Sequence, residues 1–123
     1  MKIVTLAILA AGFLAAQTPS QPTQVMAILA VRPAVTRDQI MKVMPEEVRA
    51  TVKLYLDGKI QQWYSRGDGK GVVFIMNCSS VAEAKTVTDQ LPLRRLDLAD
   101  FEFMPLSPLA PLRVLLGEST SPK

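Results

Sequence analysis

Behind a single lysine, Lys2, the chain runs apolar from Ile3 to Ala16. Fourteen residues of helix span only about 21 Å, short of the ~30 Å hydrocarbon core of a bilayer. Ala15-Ala16 ahead of Gln17 supplies small residues for a signal peptidase, so residues 1–16 are expected to be a cleaved export signal. Residues 17–23 (QTPSQPT) form a polar linker. Beyond it, Val25 to Val31 is apolar without a break and predicts a strand. Thr36 is placed to cap a short helical segment ending near Val43. Pro45 then suits the first turn of a second segment, with Glu46 and Glu47 favoured by the helix dipole. Val48, Val52 and Tyr55 recur at i, i+4, i+7 as its expected core stripe, and Gly58 stops it. Ile60 to Ser65 and Gly71 to Cys78 read as strands of a hairpin joined through Arg66–Lys70. Ser80 and Glu83 match a capping box, and Val81, Ala84, Val87 and Leu91 make a helical stripe that Pro92 is expected to end. Asp100 to Leu106 is the last strand, and residues 107–123 form a tail.

The first and third strands are apolar nearly throughout, as strands buried on both faces are, whereas the second and fourth mix polar with apolar residues in the manner of edges. Two right-handed crossovers with the first and third strands central give the order 4-1-3-2, which predicts an α+β, ferredoxin-like β-α-β-β-α-β sandwich over residues 24–106. Two helices cover only one face of such a sheet. The other face would expose Val, Ile, Met and Leu side chains, and the simplest cover is a second copy across a two-fold axis, making a homodimer or a higher homo-oligomer.

Composition narrows the chemistry. The 123 residues hold no histidine and one cysteine, Cys78. Imidazole bases, Ser-His-Asp and Cys-His nucleophile systems and a cysteine-built zinc cage are thereby excluded, and no transition metal is expected. The formal charge is +3, but the basic residues are scattered, with Arg94-Arg95 their one adjacent pair, so nucleic acid is not an expected partner. An export signal implies a secreted or periplasmic protein with no stable membrane association once the signal is removed. Cys78 ends an apolar strand and reads as an inert buried thiol.

Five residues stand out as candidates for a site. Arg32 follows the central first strand, where a planar guanidinium either meets a ligand carboxylate or is simply a solvated strand end. Trp63 and Tyr64 alternate along their strand, so one faces the helices and the other the opposite side of the sheet, and either can line a pocket for a small aromatic or lactone ring. Arg66 is a cation at a strand end; the surrounding Arg66-Gly67-Asp68-Gly69-Lys70 leads into a strand and not into a helix, which makes it a hairpin turn and not a phosphate cradle. Glu102 alternates with Phe101 and Phe103 beside the apolar first strand. It is either a carboxylate set against apolar walls, able to take a proton from carbon and return it elsewhere, or an exposed edge-strand acid.

Several of these features occur together: Trp63-Tyr64, the apolar strand ending in Asn77-Cys78-Ser79-Ser80, Gln90-Leu91-Pro92-Leu93, and the strand Asp100-Phe101-Glu102-Phe103-Met104-Pro105-Leu106. In these the chain resembles the muconolactone delta-isomerase family of the dimeric α+β barrel superfamily, over roughly residues 24–106. The resemblance implies sheets packed face to face in a dimer, no cofactor, and an acidic residue at the place of Glu102. It also implies an isomerase that shifts a proton in a small unsaturated lactone or carboxylated compound. Unlike the catechol-degrading enzymes that define the family, this chain carries an export signal, and its tail adds Pro108, Pro111 and Val114-Leu115-Leu116. Two other functions suit the same fold: a non-catalytic small-ligand-binding or assembly module, and a cofactor-free monooxygenase. A pocket holding an isolated carboxylate would favour the isomerase, and one without ionisable groups would favour binding alone.

Overall fold

The computed structural model describes residues 21–109 and 111–117. The expected export signal (1–16) lies outside these residues, as do most of the linker and the end of the tail. Four strands form one sheet: β1 (Gln24–Val31), β2 (Ile60–Ser65), β3 (Val72–Met76) and β4 (Ala99–Leu106). Its order is β2-β3-β1-β4, and every neighbouring pair is antiparallel. The helices are α1 (Arg37–Leu56), α2 (Val81–Thr88), α3 (Pro92–Arg95) and α4 (Leu112–Leu115). The architecture is α+β, with the two apolar strands in the middle and the mixed ones at the edges. None of the described helices is long and apolar enough to cross a membrane.

Alternation along the strands divides the sheet into two unlike faces. Val25, Ala27 and Leu29 of β1, Phe74 and Met76 of β3 and Ala99 of β4 are buried beneath the helices. Ile60, Ala84 and Leu91 join this core, with Phe101 and Phe103 packed against it. Phe74 sits between Trp63, edge-on at 6.2 Å, and Phe101 at 5.9 Å between ring centroids. On the other face Met26, Ile28, Val73 and Ile75 remain half-buried, with Tyr64, Glu102 and Met104 exposed around them. Cys78 is buried, and desolvation, reinforced by the charge of Glu83, pushes its thiol up from the ordinary value.

Three local expectations are corrected. The two helical segments expected on either side of Met44 are one continuous helix, α1, with Pro45 inside it. Proline removes its own N–H and crowds the carbonyl four residues back, here that of Met41. Both residues are exposed, so the freed carbonyl lies on the side where water can serve it while the inward side keeps packing. Secondly, the stripe Val48-Val52-Tyr55 is exposed and is not the core face of α1. The inward positions are Ile40, Val43, Glu47, Ala50, Thr51 and Leu54, about 100° round the helix from the expected stripe. Thirdly, the second long helix ends at Thr88, and Pro92 does not terminate it but opens α3 at its first turn.

The β2–β3 hairpin closes more tightly than a solvated loop requires. Arg66 N–H donates to the Gly71 carbonyl at 2.9 Å, and Val31 N–H donates to the Lys70 carbonyl at 3.1 Å, which draws the turn onto the end of β1. A Cβ on Gly71, at φ +157°, would stand 2.0 Å from the Leu29 carbonyl oxygen, whereas one on Gly69, at φ +74°, would meet open space. Gly71→Ala is therefore expected to lose more than about 2 kcal/mol of stability, and Gly69→Ala about 1 kcal/mol, in urea denaturation. Equal losses would show that backbone conformation alone, and not the approach to β1, governs the turn.

Candidate active site

The site begins with a bulge. Ile60 pairs with Met76 and Gln62 with Ile75, so Gln61 is an extra residue in β2. An extra residue reverses the alternation beyond it. Trp63, opposite Phe74, is thereby turned to the helix side together with Ile60, and Tyr64, opposite Val73, goes to the open face. Without the bulge the two aromatic residues would exchange sides.

Trp63 then forms part of the wall of a cavity of about 250 Å³ between α1 and the sheet. Leu29, Val72 and Phe74 make its floor, Met44, Val48 and Thr51 its helical side, and Gly69 and Gly71 bring the hairpin to its rim. Within this mostly apolar lining stands one ionisable group, the carboxyl of Glu47, whose residue is only 6% exposed.

Glu47 is held at two points. Its Oε1 accepts a hydrogen bond from the Leu93 backbone N–H at 2.8 Å, which serves a donor in the first turn of α3, where Leu91 contributes no side-chain cap. Thr51 Oγ1 donates to the Glu47 backbone carbonyl at 2.7 Å and lies 3.5 Å from Oε2. One carboxyl oxygen is thus anchored, and the other has only a long hydroxyl contact. Burial pushes the Glu47 carboxyl above the ordinary carboxylate range, opposed by the Leu93 and Thr51 hydrogen bonds and more weakly by the charge of Arg95.

That shift has a consequence for stability. In the pH range between the ordinary value and the raised one, the folded chain holds a proton that the unfolded chain has released, so stability falls as pH rises through it. The melting temperature of the wild type is expected to drop relative to Glu47→Gln as pH rises above the ordinary carboxylate value of about 4.3. Asp68 and Asp100 act in the opposite sense. The Lys70 N–H and Arg66 hold the first below the ordinary range, and Arg32 holds the second, so both weaken the fold as pH drops below that range. They are exposed, and their contribution is small. A parallel pH dependence of melting temperature for the two proteins above the ordinary carboxylate value would contradict the burial of a titrating Glu47.

Of the five candidate residues, only Trp63 lines the cavity. Arg66 lies at its margin, donating to the Leu29 carbonyl at 3.4 Å and to Asp68 at 2.6 Å. Arg32 follows Val31, a lining residue, but its guanidinium forms a two-point pair with Asp100, both bonds 2.9 Å, backed by Asp97 at 3.9 Å. Tyr64 and Glu102 belong to the open face, where Glu102 is exposed and lies opposite Ile28 of β1. The sequence pattern passed over Glu47 and Thr51. The signal that finds them is the i, i+4 spacing of two polar residues between Ile40 and Leu54, but it competes with the more apolar stripe one position further on. No protein-family model matches the chain, and no curated protein matches it either.

Proposed function

We propose that this chain is an exported, cofactor-independent isomerase of the muconolactone delta-isomerase type, with its reacting site in the cavity between α1 and the sheet. The observation that carries the reading is the isolated carboxyl of Glu47 in an apolar cavity walled by Trp63. A helix that turns Glu47 and Thr51 inward while Val48 stays 43% exposed departs from ordinary patterning, and such departures gather at functional sites. Glu47 takes a proton from the carbon next to the carbonyl of an unsaturated lactone, the electron pair moves into a dienolate, and the same carboxyl returns the proton to a more distant carbon. The double bond shifts and nothing is oxidised or reduced. Apolar walls keep water away from the dienolate, and the indole face supports a planar ring.

The strand order and antiparallel pairing support a ferredoxin-like sandwich, and the half-buried apolar side chains of the open face support a dimeric α+β barrel in which a second copy covers them. The apolar run before Gln17 supports export, and intact-mass measurement of the secreted protein is expected to place its first residue at or near Gln17. A set of unsaturated lactones, followed by the absorbance change that accompanies conjugation, tests the activity. Turnover of at least one is expected; failure of all, with no change in Trp63 fluorescence, would refute the assignment.

A further inference from the structure

The same cavity restricts the charge of what enters it. Among the described residues its lining supplies one acid, Glu47, and no lysine or arginine. Of the arginines beside the cavity, Arg66 is paired with Asp68 at 2.6 Å and Arg32 with Asp100 at 2.9 Å with Asp97 behind it, while Arg95, whose charge acts on Glu47, donates to the Gln90 carbonyl and lines a separate cleft with Arg49 and Lys53. A ligand carboxylate would leave water and approach the Glu47 carboxyl with no cation among the described lining residues to meet it. A neutral ring loses no charge hydration, lays its apolar edge on Leu29, Val72 and Phe74, and can turn its acidic ring C–H towards the Glu47 carboxylate.

Resting on the reading of this cavity as the reacting site, we infer that its ligand is an uncharged unsaturated lactone or enone and not a carboxylate-bearing one. Of the two substrate kinds that the family resemblance implies, an unsaturated lactone and a carboxylated compound, this keeps the first and excludes the second. The selecting element is Glu47 itself, with Asp68 and Asp100 masking the neighbouring arginines.

Trp63 is the only tryptophan, so its fluorescence reports the cavity wall directly. The probes are a methyl-substituted β,γ-unsaturated lactone and the same ring carrying a carboxymethyl group, each titrated into the wild-type protein at neutral pH. The neutral ring is expected to saturate the fluorescence change at a concentration at least about tenfold lower than the acid. In Glu47→Gln, checked for an unchanged circular dichroism spectrum, that ratio is expected to shrink towards one, because the amide keeps the Leu93 hydrogen bond and removes the charge. Equal or tighter binding of the acid by the wild type would overturn the inference and leave the cavity as the binding site. An unchanged ratio in Glu47→Gln would overturn the assignment of the selectivity to Glu47. If neither ring changes Trp63 fluorescence, the site itself is misplaced and the inference fails with it.

Discussion

Glu47→Gln is expected to fold as the wild type does and to lose at least about 100-fold in lactone turnover, the low end for removal of an acid–base group. The fold should survive because the glutamine Oε1 can accept the Leu93 N–H that Glu47 now accepts at 2.8 Å, which keeps α1 tied to the first turn of α3. The chemistry should not survive, because an amide neither takes a proton from carbon nor carries one between positions. Glu102→Gln is the informative companion. Glu102 is exposed on the opposite face of the sheet, and its substitution is expected to leave turnover within a few-fold of wild type. The reverse pattern, with Glu102→Gln inactive and Glu47→Gln active, would move the reaction into the space between two facing sheets and reduce Glu47 to a structural cap.

The second large effect concerns assembly. Val73 lies in the middle of the open face, beside Ile28 on one side and Tyr64 on the other. If a second copy covers this face, Val73→Lys forces a charge from each protomer into the apolar interface, where the one carboxylate of its row, Glu102, lies two strands away beyond Ile28. A penalty of several kcal/mol lowers the dimer affinity by at least about a thousandfold. Light scattering at micromolar concentration should then find a dimer for the wild type and a monomer for Val73→Lys, with matching circular dichroism spectra. The long stem of lysine keeps the position compatible with a strand, so loss of the dimer need not mean loss of the sheet. A wild type that stays monomeric, or a variant that stays dimeric, would mean that this face is not the interface.

Strand positions were legible in the sequence because an apolar run has few alternative readings, although the third strand, expected from Gly71 to Cys78, ends at Met76, and the central placement of β1 and β3 followed from their doubly apolar character. The helices were less legible. Pro45 suggests a break, yet α1 runs through it because the lost hydrogen bond falls on the solvent side. Val48, Val52 and Tyr55 form the stronger periodic stripe, yet they face outward. The inward face includes Thr51, whose hydroxyl is served by the Glu47 carbonyl one turn back, and Glu47, whose buried carboxyl is served by the Leu93 N–H from a residue 46 positions away. No local pattern encodes that contact. The bulge at Gln61 is of the same kind: period two places Trp63 and Tyr64 on opposite sides, but the extra residue decides which of them reaches the cavity. The site therefore lies where local patterning gives way to tertiary contacts.

Proton exchange at carbon tests the central claim most directly. A β,γ-unsaturated lactone deuterated at the carbon next to the carbonyl is incubated with the protein, and the label at the ring carbons is followed by nuclear magnetic resonance. The wild type is expected to carry deuterium from that carbon to the distal carbon as the double bond moves, with Glu47→Gln at the uncatalysed rate. Transfer by Glu47→Gln at the wild-type rate, or no loss of label from the carbon next to the carbonyl by the wild type above the protein-free reaction, would contradict proton transfer by Glu47.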